Sequence, residues 1–179
     1  ISNMPVEKGE EIKKGNERVL HARLEDARFF YDEDRKKKIE DFVEPLKGVV
    51  FQKKLGTIYE KVCRITDLSG ILASRICPQK EQQVRRAAYL SKADLVSQMV
   101  FEFPELQGIM GGYYALHSGE NAEVAKAIQE HYRPTFAGDD LPSCDSGSII
   151  AVADKIDTIA GCISVGLIPS GSEDPYGLR

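Results

Sequence analysis

Apolar positions along the chain recur every three to four residues, the period of helices buried on one face, and strict alternation is nearly absent. Residues 16–34 carry Val19, Leu20, Ala22, Leu24, Ala27, Phe30 and Tyr31 as one stripe, with Asn16 after Gly15 suited to cap it. Residues 35–47, RKKKIEDFVEPLK, read as a short amphipathic helix stopped near Pro45. A long helix is expected from about Gln52 to Ile76, ended before Pro78. Another is expected over residues 81–103, where Val84, Ala87, Ala88, Leu90, Leu95, Met99 and Val100 form the buried stripe. Pro104 restarts the chain as a helix to about Leu116, a further helix ends before Pro134, and residues 136–147 read as loop. The last helix lies in the apolar run from Ser148 to Ile168. The pattern predicts an all-α fold, a bundle of six or seven helices.

That last helix poses a chemical question. Its segment AVADKIDTIAG places Asp154 and Asp157 three positions apart in apolar surroundings, so both carboxylates share one helical face. Either they hold a cation or they mark a solvated edge of a core helix. A buried carboxylate needs a partner.

With 179 residues, 42% of them hydrophobic and 29% charged, the chain has enough apolar material for a core. No apolar run reaches membrane-spanning length, and ISNMPVEKGEE at the start lacks the pattern of a secretory signal. The absent initiator Met and the abrupt PYGLR end lead us to expect a piece of a longer protein. Cys63, Cys77, Cys144 and Cys162 stand far apart without a CxxC pair, which argues against a zinc knuckle and favours reduced thiols in the cytoplasm.

The net charge of -4 conceals an asymmetry. Residues 61–100 carry seven basic and three acidic side chains, whereas residues 101–179 carry four basic and twelve acidic ones. Only the first part of the chain therefore offers a surface to a phosphate backbone. Its candidate RNA-binding residues are Arg23, Arg28, Lys36, Lys37, Lys38, Lys53, Lys54, Arg85 and Arg86.

No P-loop, GxSxG, HExxH or GxGxxG is present. The order of YEKVCRI, AAYLSKADLVSQMV, IQEHYRP and IIAVADKIDTI resembles the HD-domain superfamily of metal-dependent phosphohydrolases, in which histidines and aspartates hold divalent metals. The resemblance implies that Tyr59 stands where the first histidine belongs and Ala93 where the His-Asp pair has its histidine. Asp94 is retained, His131 falls near an auxiliary histidine, and Asp154 matches the final aspartate. Two carboxylates without imidazoles make a poor transition-metal site, so no bound metal is expected. In that fold Asp94 and Asp154 would converge on the former metal position, where Lys92, Arg64 or the Tyr59 hydroxyl would supply the missing positive charge or donor. Asp157 is expected to face solvent or a basic neighbour.

The segments GNERVLHARLEDARFFYDED, FQKKLGTIYEKV, KADLVSQMVFEFPELQGIMGGYYAL, EHYRPTFAGDDLP and ADKIDTIAGCISVGLIPSGSEDPYGLR closely resemble the β subunit of heterotetrameric bacterial glycyl-tRNA synthetases, over essentially the whole chain. The resemblance implies an N-terminal helical segment, residues 1–45, leading from an upstream domain, and a degenerate HD-like helical domain over 46–179. It implies a non-catalytic role: helping to bind and orient the tRNA for glycine and to assemble the tetramer with the α subunit. The segment would hold no cofactor itself, because ATP and magnesium are used by the α subunit, and it would bind neither DNA nor membrane. The alternatives are an active HD-type phosphohydrolase and a purely structural module without RNA contact. If RNA lands on the basic part of the chain, reversing Arg85 and Arg86 to glutamate is expected to raise the KM for tRNA.

Overall fold

Thr57 and Glu60 set the register of the central helix. In the computed structural model, which describes residues 9–169, 174, 177 and 178, the Glu60 amide donates to Thr57 Oγ1 at 3.3 Å. The Glu60 carboxylate in turn accepts from the Thr57 amide at 2.7 Å. This reciprocal cap starts α2 at Ile58 and the helix runs to Ile76, two residues before Pro78. The helix therefore begins six residues later than its apolar stripe suggests. The preceding residues form a small antiparallel hairpin, β1 Val50–Gln52 and β2 Gly56–Thr57, which the absence of alternation did not foretell. Gly56 takes a φ of 87°, and a Cβ there would strike the capping Glu60 carboxylate.

The described residues contain seven α-helices: α1 Gly9–Asp34, α2, α3 Glu81–Leu90, α4 Gln98–Glu102, α5 Ile109–His117, α6 Ala122–Glu130 and α7 Asp145–Ser164. Two expected helices are corrected. The stretch after α1 is a pair of 3-10 turns, Ile39–Phe42 and Glu44–Gly48, because Asp41 caps the first turn through the Lys38 amide and Pro45 cannot continue an α-helical ladder. The helix expected over 81–103 breaks after Leu90. The Ser91 hydroxyl donates back to the Ala88 carbonyl, a 3-10 turn covers Ala93–Val96, and Ser97 caps α4 through the Val100 amide. A shorter correction applies at α5: Pro104–Leu106 forms its own 3-10 turn, and α5 starts only after Gly108, whose φ is 79°. At α7 the helix starts at Asp145, three residues before the apolar run.

Helices α2, α3, α6 and α7 pack against one another, and α5 leans on α6. Their shared core includes Ile65, Val84, Ala88, Leu90, Ile128 and Ile150, and the 3-10 turns contribute Ile39, Phe42 and Val43 to it. All four cysteines are free thiols. Among the described residues no helix is long and apolar enough to cross a membrane. The first eight residues and part of the GLIPSGSEDPYGLR string, 170–173, 175, 176 and 179, lie outside the described residues.

Candidate functional site

The break after α3 turns Lys92 inward, where four helices meet. Its ammonium, on a residue 3% exposed, lies 2.6 Å from Asp154 Oδ2 on α7 and 2.8 Å from His131 Nε2 at the end of α6. It also stands 3.7 Å from the centre of the Tyr132 ring, a cation–π contact. From α2, Lys61 reaches the other carboxylate oxygen of Asp154 at 2.8 Å, Asp157 at 3.0 Å and the Thr158 hydroxyl at 2.7 Å. Arg64, one turn further along α2, completes the set with two bonds to Asp157, at 2.6 and 3.2 Å. Asp157 thus faces basic neighbours.

The network fixes the state of His131. Its Nδ1 lies 2.6 Å from the Ile128 carbonyl, which can only accept, so the proton sits on Nδ1. Nε2 is then a lone pair aimed at the Lys92 ammonium. Burial and the nearby Lys92 charge push the imidazole down to about 3, so it stays neutral. Burial by itself raises Asp154, but Lys92 and Lys61 more than offset it and hold that carboxyl well below the ordinary carboxylate range. Asp154 and the two lysines form an internal ion cluster.

Asp94 is held differently. Its Oδ2 accepts the Gly108 and Gly111 amides, at 2.6 and 2.9 Å, at the start of α5, where helix N-termini favour a carboxylate. The two aspartates therefore share no ligand. Lys92 is the counter-charge of Asp154, while backbone amides hold Asp94. Of the three groups expected to face Asp94 and Asp154, Lys92 meets Asp154 and Arg64 binds Asp157. Tyr59 packs under Lys47, 4.6 Å from ring centre to ammonium. Lys61 was not foreseen.

These donors do not suit a divalent metal. Among the described residues no three His, Cys, Asp or Glu side chains come together as a ligand set. The two groups with lone pairs in the right place, His131 Nε2 and the Asp154 carboxylate, both face ammonium groups that an ion would have to displace. A cavity of about 550 Å³ opens beside Asp154, lined also by Tyr132, Phe136, Lys155 and Thr158. Lys155 spends its ammonium on the Tyr132 and Arg133 carbonyls, at 3.1 and 3.0 Å.

Asp94 gives a pH prediction. Burial is the largest influence on it and pushes its pKa up to about 6, against the amides and Lys92, which lower it. Its Oδ1 has no hydrogen-bond partner among the described residues and is the free place for a proton. The unfolded value is about 3.9, so the folded chain binds the extra proton between roughly pH 4 and 6, and stability falls as pH rises through that window. Between pH 4 and pH 7, the stability of Asp94→Asn relative to the parent should move by about 2–3 kcal/mol in favour of the variant. Urea unfolding at both pH values measures this, and a pH-independent difference would remove the assignment.

Residues 1–179 match the model of the family described as "Glycyl-tRNA synthetase beta subunit". The chain belongs to the glycyl-tRNA synthetase beta-subunit family. It is 60% identical, over all 179 residues, to a glycine–tRNA ligase beta subunit of Citrifermentans bemidjiense. The corresponding identities are 59% to the protein of Geobacter sulfurreducens and 54% to that of Syntrophotalea carbinolica. In each case the match covers the whole chain and 26% of the relative, so the chain spans about a quarter of the length of these beta subunits.

For a member of this beta-subunit family the basic side chains are the next concern, and several are already engaged. Arg86 bonds Glu40 at 3.0 and 3.1 Å and Glu120 at 2.7 Å, tying the turn after α1 to the loop before α6. Arg85 pairs with Glu81 at 2.9 Å and approaches Asp67 at 3.8 Å. Reversing these two arginines would set acid against acid and disturb the fold as well as any RNA contact. Arg23 lies over the Phe103 ring and 4.0 Å from Glu102, and Arg28 is 3.9 Å from Asp32. Lys36 pairs with Glu33 and Lys37 lies over Phe42. Lys53 and Lys54 occupy the turn between β1 and β2, and Lys38 precedes the first 3-10 turn; no acid lies within 4.0 Å of any of these three ammonium groups among the described residues.

Proposed function

We propose that this chain is a non-catalytic segment of a glycyl-tRNA synthetase β subunit that helps bind and orient the tRNA for glycine and assemble the tetramer with the α subunit. The observation that carries this reading is the full-length match to the family, at 54–60% identity to the named relatives. The internal ion cluster supports the non-catalytic part, since Lys92 and Lys61 occupy the carboxylate and imidazole that an HD-type hydrolase would give to metal. On this reading residues 46–179 are a degenerate HD-like domain and residues 1–45 lead into it from an upstream domain. Glycine, ATP and magnesium belong to the α subunit, and the assembly works in the cytoplasm on RNA, not on DNA or membranes.

A structural module without RNA contact is the second reading, favoured by the pairing of Arg85 and Arg86 with acids. Lys53 and Lys54 separate the two, because their charges can be reversed without breaking an ion pair among the described residues. Lys53→Glu/Lys54→Glu in the assembled enzyme should raise the KM for tRNA while glycine activation stays near the parent rate. It should also flatten the salt dependence of tRNA binding by nearly two units of log–log slope, if both lysines neutralise phosphates. Unchanged tRNA KM and salt slope would favour the structural module.

A further inference from the structure

Helix α1 carries a stripe at Leu20, Leu24, Ala27, Tyr31 and Asp34, spaced four, three, four and three, the repeat of a seam between packed helices. The lower part of that stripe, from Ala27 down, packs onto the core together with Phe30. Its upper part does not. Leu20 is 61% exposed, Leu24 69%, and Val19 beside them 63%. Arg23, in the same stretch, contacts Glu102 and the Phe103 ring at the end of α4. This brings Phe101, at 80% exposed, to the foot of the stripe, where it shares a cavity of about 280 Å³ with Phe30 and Val96.

We propose that Val19, Leu20 and Leu24, with Phe101 at their foot, form the docking surface for another part of the same polypeptide. The apolar stripe continues from the core without a change of face, as one side of an unfinished helix packing. The bare apolar area is on the order of 500 Å², the largest a monomer usually leaves exposed, yet below the roughly 800 Å² per partner of a free-standing complex. An element held nearby by its own chain needs no such area, because linkage supplies the concentration. The relatives provide that chain: this segment covers only 26% of them. Residues 9–28 carry five acidic and five basic side chains, a balance that gives phosphate no net attraction and suits an apolar ridge with a mixed rim. The proposal rests on the chain being a segment of a β subunit, which the mass of the purified subunit tests on its own.

Hydrogen exchange read by mass spectrometry on the full-length β subunit tests the docking. A solvated helix of this length is marginal in water and exchanges quickly. If another part of the polypeptide covers it, amides of residues 12–24 should exchange at least 100-fold more slowly than a solvated helix, in the β subunit alone and independently of its concentration. Leu20→Ala/Leu24→Ala should then cut that protection at least tenfold while the α2 amides keep theirs. Fast exchange in the β subunit alone would overturn the proposal, and slowing only on adding α subunit or tRNA would assign the face to that partner instead. Protection that disappears on dilution would assign it to a second copy, which overturns it equally.

Discussion

Lys92→Met should destabilise the chain by about 3–5 kcal/mol at pH 7, the cost of removing one of the two ammonium groups that face a buried carboxylate. Methionine fills much of the volume, so loss of charge rather than a cavity dominates. Asp154 would keep Lys61 at 2.8 Å but lose the bond to Oδ2, and His131 Nε2 would face an apolar thioether in place of its donor. Asp154→Asn should cost a similar amount, because Lys92 and Lys61 would then confront each other across a neutral amide. The double change Lys92→Met/Asp154→Asn should cost clearly less than the sum of the single changes, since no charge is left alone on the Lys92 side and Lys61 retains Asp157 at 3.0 Å. Arg64→Ala, at the half-exposed edge of the cluster, should cost no more than about 1 kcal/mol. The acid limb should follow the same logic. Because Asp154 is held below its unfolded value, its contribution is present above about pH 4 and is lost as pH falls further, and Lys92→Met should flatten that limb. Urea unfolding of the five chains is the measurement. A Lys92→Met cost below about 1 kcal/mol would mean the ammonium is not the counter-charge that the distances indicate.

The cluster shows where sequence reasoning reached and where it stopped. Asp154 was legible because an acid in an apolar helix demands a partner, and Lys92 was among the candidates for that partner. Lys61 was missed because lysine reads as solvated, yet it continues the stripe of Ile65, Leu68 and Leu72 along the inward face of α2. Asp34 likewise continues the stripe of Ala27 and Tyr31. A charged residue in register with an apolar stripe is the signal that would have found both. The α3 break was beyond this kind of signal, since Leu95, Met99 and Val100 prolong the helical period through it. There Ser91, Ser97 and the buried demands of Lys92 and Asp94 override periodicity. The start of α2 was available in the Thr57–Glu60 capping pair, whereas the hairpin before it is too short to show alternation.

Asp34→Ala should cost about 3 kcal/mol, the largest single effect expected outside the ion cluster, because it strips the acceptor from three buried donors at once. Asp34 is the last residue of α1 and 3% exposed. Its oxygens accept the Gln98 and Met99 amides, both at 3.0 Å, and the Tyr114 hydroxyl at 2.8 Å. The two amides belong to the first turn of α4, where no intrahelical acceptor exists and a carboxylate also meets the positive end of the helix. Tyr114 is itself stacked between Tyr31 and Phe42, so its hydroxyl has little freedom to find water. One side chain thus joins α1, α4 and α5 at the buried end of α1. Asp34→Asn keeps one oxygen acceptor but turns its amide hydrogens toward a donor, so its cost should fall below that of alanine. Tyr114→Phe removes a single bond and leaves the carboxylate its two amides, for about 1 kcal/mol. Urea unfolding should therefore rank the losses Asp34→Ala, then Asp34→Asn, then Tyr114→Phe. A Tyr114→Phe loss as large as that of Asp34→Ala would show that the phenol, not the carboxylate, holds this junction together.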